Sequence, residues 1–206
     1  MFWFTQERYG VCIYDAVTDK LRHYTDCPKT EMLPLGNVTN LTASKMEGSV
    51  WGVLYLFSSS IVRLYQDNMK ISQEIRINLN EVVRQPGHVV SMLEDKKQDL
   101  WIGTNRGLFV YRTGTRKLEV IDSELGSVNG IVQTNDGKIW FAVAGKGLGF
   151  MKNDGQYELF PFAKDFMCMD VSSDGKLWLG TGLGEVLQFD TQLKTLSDHS
   201  MICGMK

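Results

Sequence analysis

The hydrophobic positions of this chain come in short runs broken by turn-forming residues, and no segment sustains the 3.6-residue apolar period of an amphipathic helix. Between residues 88 and 122 the runs are His88–Asp95, Leu100–Thr104, Leu108–Arg112 and Lys117–Asp122. Each predicts a short β-strand, and the polar, glycine-containing segments between them predict turns. The runs are more often continuously apolar than strictly alternating. That pattern predicts strands covered on both faces.

The four-strand unit recurs. All five tryptophans (Trp3, Trp51, Trp101, Trp140 and Trp178) fall on one slow rhythm, with spacings of 48, 50, 39 and 38 residues, in the range of propeller blades. Asp99-Leu100-Trp101-Ile102-Gly103-Thr104 is matched by Lys176-Leu177-Trp178-Leu179-Gly180-Thr181, by Lys138-Ile139-Trp140-Phe141-Ala142-Val143, and loosely by Met1–Gln6. Shortly after these tryptophans stands a glycine (Gly10, Gly107, Gly147, Gly184), followed by an apolar run. Before the Trp come a strand and a turn, as in Asn135-Asp136-Gly137 and Ser173-Asp174-Gly175. Such sequences supply the positive φ of a tight hairpin. A small residue precedes the Trp by ten positions in three units (Ser91, Gly130, Cys168), as close packing of the first strands favours.

The expected fold is all-β, a β-propeller of about five four-stranded blades. Each Trp is expected to act as an apolar plate between blades, its indole N–H finding a backbone carbonyl. Blades are expected at about 1–36, 37–87, 88–126, 127–164 and 165–198, within one domain spanning 1–206. The second is placed mainly by Trp51, because Ser58–Tyr65 has no glycine at the usual position. In the third, Gln98 stands where a turn glycine is usual. The chain opens at what is already the second strand of a unit, so the first blade lacks its first strand. Residues 199–206, with Cys203-Gly204, stand where one more first strand would come. Two explanations are open: this segment pairs with the first blade and closes a five-bladed ring, removing edges, or the chain is a fragment of a longer propeller.

Composition adds limits. With 206 residues, 43% apolar and 22% charged, the chain can bury a core without metals or disulfides. Its net charge of −2, without a Lys/Arg block, argues against nucleic acid or an anionic membrane as main partner. Trp51–Phe57 is far too short to span a bilayer, and the N-terminus lacks the basic-then-apolar layout of a signal peptide. Cys12, Cys27, Cys168 and Cys203 show no zinc spacing and read as buried free thiols, one disulfide being open if the chain is secreted.

The unit from Val89 to Tyr111, with Glu94-Asp95 before the turn, then Leu100-Trp101-Ile102-Gly103-Thr104, Gly107-Leu108 and an aromatic, resembles the two-component regulator propeller repeat. The fifth unit matches fairly well and the fourth less so. In that family such propellers form the sensor part of hybrid histidine kinases of gut-type bacteria, outside the inner membrane, and respond to glycan breakdown products. The resemblance therefore implies a non-catalytic sensor module whose ligand is an oligosaccharide or other small molecule, its signal passing through a protein partner or through further parts of a longer sensor. It is periplasmic if part of such a sensor, and otherwise, without a signal peptide, cytoplasmic or a fragment. A family sensor carries many more repeats together with membrane, kinase or DNA-binding parts, none of which has a motif here.

Catalytic chemistry finds little support. His23, His88 and His199 are scattered, without metal-ligand spacing. That counts against the streptogramin lyases, which have similar Trp-containing propeller repeats and whose chemistry resembles base-assisted ring opening with a His and a metal-held carboxylate. Gly145–Gly149 and Gly180–Gly184 look like phosphate loops, but neither opens a helix, so both read as hairpin connections. The sequons at Asn37 and Asn40 and the Asp-Gly turns carry no further signal for glycosylation or calcium. No catalytic residue, metal ligand or cofactor is assigned. The candidate binding rim is the set of loops between second and third strands, with Gln6–Tyr9, Asn105, Arg106 and Lys146; Tyr9 and Arg106 suit sugar or carboxylate contacts. A protein-interaction scaffold is the alternative to ligand sensing.

Overall fold

A computed structural model describes residues 2–6, 10–23, 38–54, 60–67 and 70–200. It is built of antiparallel sheets arranged as meanders and is a β-propeller in fold class. The chain divides into two compact units, Met1–Gln85 and Pro86–Lys206.

The first unit holds two sheets. One has three strands, β1 (Phe2–Gln6), β2 (Gly10–Asp15) and β3 (Lys20–His23); the other has four, β4 (Val38–Ala43), β5 (Ser49–Leu54), β6 (Ser60–Asp67) and β7 (Lys70–Asn78). Among the described residues the sheet that carries Trp3 has three strands. Val11 and Ile13 pack with Val38, Val50, Leu54, Val62 and Leu64, and Trp3 lies against them. Trp51 is fully buried in β5, so the second unit of the repeat is a complete sheet despite its missing glycine. A single-turn 3-10 helix, Leu79–Glu81, follows β7.

The second unit holds three four-stranded sheets. They are β8 (Val89–Glu94) to β11 (Lys117–Asp122), with β9 (Leu100–Thr104) and β10 (Leu108–Arg112) between; β12 (Val128–Gln133) to β15 (Tyr157–Pro161), with β13 (Ile139–Val143) and β14 (Gly147–Met151); and β16 (Phe166–Val171) to β19 (Thr195–Asp198), with β17 (Leu177–Thr181) and β18 (Val186–Asp190). Three strands of the third blade coincide with the sequence runs, and the first is one residue shorter at each end. β9 and β13 are buried along their whole length, as strands covered on both faces must be.

Two cores hold these blades together. Trp101, Val110, Val128, Ile131, Phe141 and Val143 fill the space between the first two of them. Trp140, Phe166, Leu177, Leu187 and Phe189 fill the next. Each fully buried large side chain contributes about 1.5–3 kcal/mol. The first strands approach closely because their partners are small. Ser91 pairs with Gly103, Gly130 with Ala142 and Cys168 with Gly180, each just after a bulge. A Cβ on Gly103 would sit 2.6 Å from the Val128 carbonyl oxygen, to which the Ser91 hydroxyl donates at 2.6 Å.

The turns obey the expected chemistry, with φ of 87° at Gly137 and 81° at Gly175. Gln98 is forced to 66° in the same place, a region costly for a residue with a Cβ. Two expectations are corrected. Cys12 is buried but Cys168 is exposed, on the strand facing Gly180. The Trp101 indole N–H goes to the Asp95 carboxylate at 2.9 Å, because the side chain six places earlier reaches it before any carbonyl does. Cys27, Cys203 and residues 201–206 of the segment 199–206 expected to close a ring lie outside the described residues.

Candidate functional site

A meander places its connections alternately at two ends of the blade, so first-to-second and third-to-fourth turns share one end and second-to-third loops the other. The sequence pointed to the second-to-third loops. There Asn105 is a structural clasp: its Oδ1 accepts the His88 amide at 2.8 Å and its own amide donates to the His88 carbonyl at 2.9 Å. Arg106 and Lys146 are exposed on two different loops and tied to their surroundings through backbone bonds to Gly126 and Phe162. Tyr9 and its neighbours at 7–8 lie outside the described residues, as does the side chain of Gln6. Gly145–Gly149 joins β13 to β14 and Gly180–Gly184 joins β17 to β18, as hairpin connections.

A groove of about 410 Å³ opens instead at the other end, between the last two blades of the second unit. It is lined by the β12–β13 turn (Thr134, Asn135, Asp136, Lys138), by Trp140, by Asp174 and Gly175 of the β16–β17 turn, and by Thr191, Gln192 and Lys194 of the β18–β19 turn. The Asn135 amide donates to the Ser173 carbonyl at 2.8 Å, and the Thr191 hydroxyl to the Gly175 carbonyl at 3.3 Å. These bonds fix the three turns against one another. Lys194 holds φ at 58°, and the Asp190 carboxylate accepts the Gln192 and Leu193 amides at 2.9 Å each. That backbone delivers the Lys194 ammonium over the rings of Trp140, Phe150 and Phe160, 4.8, 5.0 and 4.6 Å from their centres, within cation–π range.

Electrostatics favour recognition over proton transfer. The Thr134 hydroxyl holds the Asp136 carboxyl below its usual range, and the Ser172 hydroxyl does the same for Asp174. Both stay ionised at neutral pH, Asp136 paired with Lys138 at 3.1 Å and Asp174 with Lys176 at 3.5 Å. Desolvation against the rings, then repulsion from Lys138, lowers the Lys194 ammonium. Lys194 has no ion-pair partner among the described residues. His88 is exposed, and the His199 ring lies 5.1 Å from Trp178; the side chain of His23 is outside the described set. Among the described residues no three His, Cys, Asp or Glu side chains gather in a metal-binding group, and no helix is long and apolar enough to cross a membrane.

Sequence reasoning missed the groove because its residues come from three turns in two blades. One signal was available: Trp140 has Thr134 where Trp101 has Asp95.

Residues 85–106 match the family described as two component regulator propeller. No curated protein matches the chain. Among solved structures, a streptogramin B lyase is 18% identical with a TM-score of 0.72, the match covering 96% of this chain and 64% of that one. The extracellular domain assigned to a hybrid two component system of B. thetaiotaomicron is 16% identical with a TM-score of 0.69, covering 95% of this chain and 25% of that one. A luciferin-regenerating enzyme is 14% identical with a TM-score of 0.64, covering 95% and 71%. At these identities the likeness is one of fold. The chain spans less than two thirds of the lyase and a quarter of the extracellular domain.

Proposed function

We infer that this propeller, which carries a two component regulator repeat in its third blade, is a non-catalytic ligand-sensing module acting in the periplasm. The observation that carries the reading is the match at residues 85–106, supported by the fold shared with a sensor's extracellular domain. Residues 1–206 act as one domain in this reading. The ligand, an oligosaccharide or another small molecule, occupies the groove between the last two blades, and a protein partner relays its presence. A rigid three-turn frame around fixed charges suits binding, since the groove needs little ordering when a ligand enters.

The test is a thermal melt of the purified chain against a panel of neutral and acidic oligosaccharides. A ligand at 100 times its dissociation constant adds about 2.7 kcal/mol, a readily measured shift. A rise with one glycan class supports the sensor reading, and an unchanged melt across the panel removes its glycan-responsive form. The fold shared with a streptogramin B lyase gives a second reading, a streptogramin-lyase-like enzyme. It requires that incubation with a streptogramin B open the ring and that His→Ala replacement at 23, 88 or 199 stop it.

A further inference from the structure

Three hairpins of the second unit close alike, but the closing residue carries a carboxylate only in the third blade. In each, the residue six places before the Trp closes the turn through its backbone. The Asp95 amide donates to the Asp99 carbonyl at 2.9 Å, that of Thr134 to Lys138 at 3.0 Å and that of Ser172 to Lys176 at 2.9 Å. In the third blade this residue's carboxylate accepts the Lys97 amide at 2.8 Å, the Asp99 amide at 3.0 Å and the Trp101 indole N–H at 2.9 Å. In the fourth and fifth blades it is Thr134 and Ser172, whose hydroxyls donate to the Asp136 carboxylate and the Lys138 carbonyl, and to the Asp174 carboxylate and the Lys176 carbonyl. Trp140 is 1% exposed, and its indole N–H has no acceptor among the described residues.

A buried donor left unmade costs about 1–3 kcal/mol, and such groups in folded proteins call for a reason. Thr134 and Trp140 both line the groove of about 410 Å³. The same groove holds Lys194, whose ammonium lies on three rings with no ion-pair partner among the described residues, while Lys138 and Asp174 are already paired. The buried donor lacks an acceptor and the cation lacks an ion-pair partner among the described residues, and one anionic oxygen group would serve both.

We propose that this groove binds a small ligand through a carboxylate, which accepts the Trp140 indole N–H in the role that Asp95 fills one blade earlier and pairs with the Lys194 ammonium. The proposal rests on the groove being the sensing site and adds the chemical class of what enters it. A neutral hydroxyl would satisfy the indole but leave the ammonium unpaired. A more highly charged anion would meet repulsion from Asp136 and Asp174 on the groove wall.

The test follows the indole ¹H–¹⁵N signals of the whole chain during titration with glucuronate and, separately, with glucose, which differ only in the carboxylate. The Trp140 signal is assigned from Trp140→Phe. Glucuronate is expected to shift it saturably while leaving Trp101 in place, and glucose to leave both unmoved. Thr134→Asp supplies the carboxylate internally, so the Trp140 signal moves before any ligand is added and glucuronate binds about tenfold or more weakly. Lys194→Met weakens glucuronate by about tenfold. A Trp140 signal indifferent to glucuronate, or wild-type affinity in both variants, overturns the proposal. Equal shifts with glucose and glucuronate overturn the carboxylate and leave the groove as the ligand site. A melting temperature raised by a neutral oligosaccharide with a silent Trp140 overturns the carboxylate and places sensing elsewhere, with the sensor reading intact.

Discussion

At the scale of single residues, the repeat is a set of internal controls. Gln98, Gly137 and Gly175 occupy the same turn position, with φ of 66°, 87° and 81°. Only Gln98 carries a Cβ into the left-handed region. Gln98→Gly is expected to stabilise the chain by about 0.5–1 kcal/mol, the relief of that strain exceeding the added freedom of the unfolded glycine. A higher urea midpoint at unchanged slope is the check. Tyr157 offers a pH signature. Its hydroxyl donates to Asp122 at 2.6 Å, and that bond, with partial burial, raises the phenol from 10.0 to about 12. A raised folded value favours the protonated phenol, so its contribution is complete below about pH 10 and is lost as pH rises through about 12. Denaturant midpoints should fall across that window in the wild type, and Tyr157→Phe should flatten the fall. An equally steep fall in the variant would refute the assignment.

At the scale of elements, spacing between first strands is governed by what stands two residues after each Trp. Gly103, Ala142 and Gly180 hold this place, opposite Ser91, Gly130 and Cys168. Gly103 faces the Val128 backbone of the next blade, which cannot retreat without breaking the Ser91 bond. Gly103→Ala is expected to destabilise by about 1–3 kcal/mol, the range for overpacking a tight core. Ala142→Gly, which removes a methyl without creating a clash, should cost less. Thermal unfolding of the two variants decides it, and a neutral Gly103→Ala would mean that β8 and β12 can separate at little cost.

At the scale of the whole molecule, charge is nearly balanced: 22 basic against 24 acidic residues, with a calculated isoelectric point near 5.9. Solubility is expected to pass through a minimum near that pH, because self-repulsion vanishes there; light scattering across a pH series would reveal it, and a minimum displaced well away would point to strongly shifted surface groups. Much of the architecture was legible in the chain alone. The Trp rhythm, the Asp-Gly turns and the small residues ten places earlier specify four-stranded units, down to β9, β10 and β11 at their observed ends and the three-stranded first sheet. These signals are local: a turn's φ and a strand's two covered faces are set by near neighbours along the chain. The groove is not local. Thr134, Asp174 and Lys194 belong to three turns that meet only when two blades pack, so no single period along the chain gathers them. The destination of an indole N–H likewise depends on which side chain stands beside it in space. Repetition along the chain determined the blades, and packing between blades decided where a donor and a cation were left facing the same opening.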